Sequence, residues 1–202
     1  MIVRVALRRE NPWILAQWAF LVTGLLMTGY TAFQVAARYA YQAYENRAFD
    51  HAVALRQAAL RSGESPRFGS YTGAVVGKIE IPRLHISAIV KEGVDERTLG
   101  LAAGHIPTTP LPGQMGNVGV AAHRDSLFRN LKDVRRNDKI ALTTLDGEYV
   151  YRVVSFQIVL PTDISVLDSS PDERILTLVT CYPFYFVGNA PERFIVRAVQ
   201  VF

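Results

Sequence analysis

Hydrophobic and polar positions divide the chain into three regimes. From Trp13 to Ala37 apolar residues run almost unbroken and no residue is charged. As a helix, at about 1.5 Å per residue, this stretch reaches roughly 37 Å, enough to cross a hydrocarbon core of about 30 Å. Gln17, Thr23, Thr28, Thr31 and Gln34 interrupt it, but Trp13, Trp18, Phe20, Leu25, Leu26 and Phe33 outweigh them. The competing readings are a buried core helix and a cleaved signal peptide. The second needs a shorter apolar region followed by a small-x-small site, and none directly follows Phe33. From Arg38 to Arg61 the chain is rich in Ala, Gln, Tyr, Glu and Arg without Gly or Pro, which predicts a helical stalk. Arg61-Ser-Gly-Glu-Ser-Pro66 then supplies helix breakers.

After Gly73 short apolar runs alternate with turn signals, and no long stretch keeps a 3.6-residue period. Residues 77–90 alternate through Ile79 and Ile81, break at Pro82, and resume through Ile86, Ala88 and Val90, predicting two strand pieces joined by a bend. Asp146-Gly147 between β-rich arms predicts a hairpin over 139–156. Residues 175–181 and 194–202 read as the last two strands. One short helix is predicted over 126–134, where Leu127, Phe128, Leu131 and Val134 share a face. His85 falls on a strand face in this scheme. The fold class is therefore all-β, a closed or nearly closed barrel with one or two short helices. The expected organisation is a tail at 1–12, a membrane-spanning helix at 13–37, a stalk and linker at 38–68, and a barrel domain at 69–202.

Charge changes the picture only slightly. The formal net charge of +4 arises before Gly69, where eight basic residues meet four acidic ones; from Gly69 onward fourteen meet fourteen. A near-neutral domain gives no case for nucleic-acid binding. Arg4, Arg8 and Arg9 precede the apolar stretch while Arg38 and Arg47 follow it, so positive-inside bias places the N-terminus in the cytoplasm and the barrel outside the plasma membrane.

Cys181 is the only cysteine, which excludes an intrachain disulfide and any multi-cysteine metal site. It ends a predicted strand. Arg193 opens the next one, and the connection contains Pro183, Gly188, Asn189 and Pro191. Antiparallel pairing across so short a connection brings Cys181 and Arg193 side by side. His123 closes a third strand-like run at 117–122. The three residue types suit acyl transfer: a thiolate attacks a carbonyl, an imidazolium protonates the departing amine, and a guanidinium stabilises the oxyanion. Arg197 shares the parity of Arg193 but lies farther from the cysteine end.

Thr177-Leu178-Val179-Thr180-Cys181 matches the TLxTC signature of the sortases, and Ala122-His123-Arg124 after Gly116-Asn117 resembles their histidine segment. Glu192-Arg193-Phe194 resembles their arginine strand, and Gly77-Lys-Ile-Glu-Ile-Pro82 and Leu111-Pro-Gly113 match further patterns. The resemblance covers residues 76–202 and is most like class D, with Ala122 standing where many members have Gly. It implies an eight-stranded barrel, no organic cofactor, and catalytic Cys181, His123 and Arg193. It further implies cleavage of an LPXTG-type sorting signal between Thr and Gly through a thioester, then transfer to an amine of a cell-wall precursor or a protein lysine. The implied partners are proteins bearing a C-terminal sorting signal, the amine acceptor and the membrane. Thr180, Tyr182, Pro183 and His105 are candidate substrate-binding residues: Thr180 as a donor to the oxyanion, with ordinary β-propensity as the alternative; Tyr182 and Pro183 as walls of a peptide groove, with local packing as theirs; and His105 at the groove edge, with a surface or loop-stabilising role as the other reading. Glu92, Asp95 and Glu96 resemble the calcium sites of some sortases, with a solvated charged loop as the alternative. Two rival functions remain open: an inert membrane-anchored module that binds a peptide or wall component, and a thiol peptidase that only hydrolyses.

Overall fold

The apolar run and its polar continuation form one helix, α1 (Pro12–Ser62). The computed structural model describes residues 12–62, 75–168 and 172–201. Residues 1–11 of the tail, and the breaker run from Gly63 on with the boundary at Gly69, lie outside the described residues. The chain divides into two units, Met1–Ala40 and Tyr41–Phe202. In the first, Trp13, Trp18, Phe20, Leu25 and Phe33 are all exposed. By length and composition α1 is long and apolar enough to cross a membrane.

The second unit is built on strands β1 (Val75–Ile81) and β2 (Ile86–Glu92), helix α2 (Glu96–Leu101), then β3 (Ala103–His105) and β4 (Gly116–Ala121). It continues with β5 (Lys139–Thr143), β6 (Glu148–Val159), β7 (Arg174–Tyr182) and β8 (Glu192–Gln200). The strands close a barrel in the order β1-β2-β3-β4-β7-β8-β6-β5. Pro82 produces the expected bend as a 3-10 turn, Pro82–Leu84, and the Asp146-Gly147 hairpin joins β5 to β6.

Strand parity fills the barrel. Val118 and Val120 of β4, Leu176 and Leu178 of β7, and Phe194, Val196 and Ala198 of β8 meet Ile79, Ile81, Ala88 and Val90 in one core cluster. Fully burying each Leu, Ile or Val contributes about 1.5–3 kcal/mol. Phe128, Leu131 and Val134 close the rim above β4. They do so from turns and a 3-10 helix, Arg129–Asp133, and not from the α-helix expected over 126–134. At the opposite end the loop before β4 crosses the barrel. Gly113 is needed there because its φ is +88° and a Cβ would collide with the Tyr149 ring. Burial pushes the neighbouring Tyr151 phenol up to about 12.

From Tyr41 onward α1 does more than extend away from the barrel. Gln42 accepts from the Ile89 amide at 3.2 Å and donates to the Leu101 carbonyl. Phe49 is 1 % exposed, and Ile89, which points away from the barrel interior, is fully buried. Lys91 donates to Tyr41, Lys78 pairs with Asp50, and Arg56 pairs with Asp146. Residues 41–56 of the segment expected to serve as a stalk thus pack on the outside of β1 and β2.

His85 does not sit on a strand. It is exposed in the turn before β2 with φ +51°. Beside that turn, Arg83 donates to both carboxylate oxygens of Asp138, which also accepts from the Arg135 amide at 2.8 Å. The Arg83 contact, ahead of the Arg135 amide, holds the Asp138 carboxyl below the usual carboxylate range.

Candidate active site

The barrel order places β7 between β4 and β8, and each of the three carries one candidate group at the same rim. Antiparallel pairing of β7 with β8 sets Cys181 directly opposite Arg193. Parallel pairing of β4 with β7 matches Ala121 to Val179. That ladder continues through the Ala122 amide, which donates to the Val179 carbonyl at 3.2 Å. The Thr180 hydroxyl then donates to the Ala122 carbonyl at 2.7 Å. Continuing that match one residue further brings His123, just past the end of β4, level with Cys181. Neighbouring strands lie about 4.8 Å apart, so both flanking side chains originate within reach of the thiol.

Parity assigns the face. Leu176, Leu178 and the buried Thr180 alternate with Thr177, Val179 and Cys181, so the cysteine points away from the packed interior. His123 and Arg193 share that outward parity, and all three residues are half-buried. The His123 carbonyl accepts from the Phe128 amide at 3.1 Å, which ties the histidine to the loop closing the rim. Arg193 donates through Nη1 to the carbonyls of Ala190 at 3.2 Å and Glu192 at 2.9 Å. Arg197 lies opposite Thr177, four residues or roughly 13 Å down the strand.

The other candidates divide. Thr180 is 2 % exposed and its hydroxyl proton is committed to Ala122, so it does not line the outer face. Tyr182 also faces inward. Its ring lies 6.4 Å from Phe194 and 6.0 Å from Phe184, within an aromatic cluster at the barrel mouth. Pro183 begins the β7–β8 loop and is half-buried. His105 is 2 % exposed, with Nδ1 at 2.8 Å from Glu92 and Nε2 at 3.0 Å from the Pro110 carbonyl. It ties β3 to Glu92 at the end of β2 and to the following loop. The acidic cluster is likewise engaged: Glu92 meets His105, and Asp95 caps α2 through the Arg97 and Thr98 amides. Hydrogen bonds from Thr98 lower the Asp95 carboxyl. Among the described residues no group of three or more His, Cys, Asp or Glu side chains is arranged to hold a metal ion.

Two contacts escaped the sequence reading. Arg124 reaches from the residue after His123 to the carbonyls of Phe186 and Gly188, and Lys132 meets the Tyr185 hydroxyl. Both link segments some fifty or sixty residues apart, and only the adjacency of Arg124 to His123 hinted at either.

A filled barrel with a thiol, an imidazole and a guanidinium at three adjacent strand ends is an arrangement suited to acyl transfer through a cysteine, the chemistry of cysteine peptidases and transpeptidases. Residues 79–201 match the sortase domain, and the chain belongs to the sortase family of transpeptidases. It is 34% identical over 134 residues to sortase D of Bacillus subtilis, covering 66% of this chain and 68% of that protein. Its identity to sortase A of Listeria monocytogenes is 36% over 112 residues, 54% of this chain and 50% of the relative. The chain thus spans about half the length of several curated relatives it matches. The Clostridium perfringens sortase D5 transpeptidase shares the fold, with a TM-score of 0.62 at 24% identity over 82% of this chain and 98% of that one.

Proposed function

We propose that the protein is a single-pass membrane enzyme whose barrel lies outside the plasma membrane and transfers sorting-signal proteins to an amine. The Cys181 thiolate adds to the carbonyl of the Thr–Gly bond in an LPXTG-type signal. Arg193 stabilises the oxyanion formed. His123 gives its proton to the departing glycine amine as the C–N bond breaks, leaving a thioester on Cys181. His123 then removes a proton from the incoming amine, which attacks the thioester and expels the thiolate. The observation that carries this reading is the strand register, which flanks Cys181 with His123 on one side and Arg193 on the other. The charge balance across the apolar stretch supports the orientation.

The test is intact-mass analysis of the full chain in detergent after incubation with an LPXTG-type peptide. The expected product is an adduct on Cys181 that an added amine removes. Cys181→Ala abolishes it, and His123→Ala slows both formation and resolution roughly a hundredfold or more. Cleavage persisting in Cys181→Ala would sink the assignment. Release of the free acid despite saturating amine would make the protein a peptidase instead.

A further inference from the structure

The loop from Pro183 to Pro191 leaves the nucleophile strand directly after Tyr182 and re-enters the barrel at β8, one residue before Arg193. Tyr185 to Asn189 are all exposed, so little burial fixes the loop's course. Arg124 fixes it instead. Its Nη2 donates to the carbonyls of Phe186 at 2.8 Å and Gly188 at 3.0 Å, and its guanidinium lies 6.0 Å from the Phe186 ring centroid. Two residues past Gly188, the Ala190 carbonyl accepts from Arg193. A continuous line of contacts therefore runs from the residue beside His123, through the loop backbone, to the guanidinium beside Cys181.

From this line of contacts we infer that Arg124 is a positioning residue: by clamping the β7–β8 loop it sets the Ala190 carbonyl and through it the aim of Arg193. The inference rests on the proposed role of Arg193. The second clasp on the loop, Lys132 on the exposed Tyr185, touches only the tip and does not lead to Arg193.

The reach of the clamp follows from geometry. Without it two loop carbonyls lose their donor, the loop relaxes and the Ala190 carbonyl moves. A displacement of about 1 Å at a reacting group costs up to roughly a hundredfold in rate. Because Arg124 acts through Arg193, its effect disappears once Arg193 is gone, whereas a merely structural role would multiply with that of Arg193.

The experiment is single-turnover acylation of Cys181 by an LPXTG-type peptide, using the full chain in detergent. The forms compared are wild type, Arg124→Ala, Arg124→Lys, Arg193→Ala, the double alanine variant and Lys132→Ala, with circular dichroism confirming folding. Arg124→Ala is expected to lower the maximal acylation rate on the order of tenfold or more, with half-saturation changed less than about twofold. Arg124→Lys recovers most of the rate, since both bonds leave one nitrogen and an ammonium can make both. The double variant matches Arg193→Ala within about threefold, and Lys132→Ala acylates at the wild-type rate. If Arg124→Ala does not fold, Arg124→Gln, which keeps one amide donor, carries the same comparison. A wild-type rate in Arg124→Ala, or losses that multiply in the double variant, overturns the positioning role while leaving the proposed function intact. A wild-type chain that forms no acyl-enzyme overturns both.

Discussion

Removing the Phe49 ring measures what the second half of α1 contributes to the barrel. The side chain is 1 % exposed although it belongs to a helix outside the sheet, so its burial depends on the helix staying docked. Phe→Ala at a buried site costs about 3–5 kcal/mol, and the low end applies here because a helix on an outer face can shift to fill part of the gap. About 3 kcal/mol is a large share of the 5–15 kcal/mol by which a domain is ordinarily stable. For a unit of this size it lowers the melting temperature by roughly 6–12 °C, at about 2–4 °C per kcal/mol. Thermal unfolding by circular dichroism of wild type, Phe49→Ala and Tyr44→Ala measures it, the exposed Tyr44 serving as control. Two truncations extend the comparison. A chain beginning at Tyr41 keeps Gln42 and Phe49 and melts with the wild type. One beginning at Gly69 loses both and melts at least as low as Phe49→Ala. Should Phe49→Ala and the Gly69 truncation both melt within about 2 °C of wild type, the helix is a free stalk and the packing argument is wrong.

The two arginines on β8 provide an internal comparison at the site. Arg193→Ala is expected to slow acylation by the equivalent of about 3 kcal/mol, Arg193→Lys to recover part of that, and Arg197→Ala to stay within a few-fold of wild type. A crippled Arg197→Ala beside a normal Arg193→Ala in the single-turnover assay would reverse the assignment. Asp138 sets an acid limit on stability. Its carboxyl is lowered in the folded state, so its contribution is present above the unfolded value of about 3.9 and is lost as pH falls through the lower folded value. Urea midpoints between pH 6 and pH 2 should therefore drop less steeply in Asp138→Asn than in wild type, and parallel curves would show that the Arg83 contact carries no such linkage.

Legibility in the sequence followed chain separation. The Cys181–Arg193 pairing was readable because eleven intervening residues with two prolines and a glycine leave few ways back to the sheet. The Asp146-Gly147 hairpin was readable for the same reason. The parallel match of β4 to β7 was not, since 58 residues separate Ala121 from Val179 and no local pattern encodes it. Strand β3 has only three residues, too few to show a period, and α2 is one short turn and a half held by its Asp95 cap. For Tyr182 the sequence left a groove wall and local packing both open; a step of one along a strand reverses the face, and its ring joins the aromatic cluster with Phe184 and Phe194. The 126–134 segment has a helical spacing of apolar residues but forms turns, because closing the rim requires Phe128, Leu131 and Val134 to point into the barrel mouth.

The packed interior and the outward-facing thiol together decide what kind of cargo such a molecule can handle. A lumen filled by Val120, Leu178 and Val196 admits nothing, so no chain has to be threaded and no pore diameter sets a limit. In the proposed reaction the groups around Cys181 sit on the outer side of the barrel wall, so a peptide docks from outside and whatever hangs from its ends need not enter the barrel. Under that proposal selection by pore size plays no part, and the residues of the peptide beside Cys181 carry the discrimination.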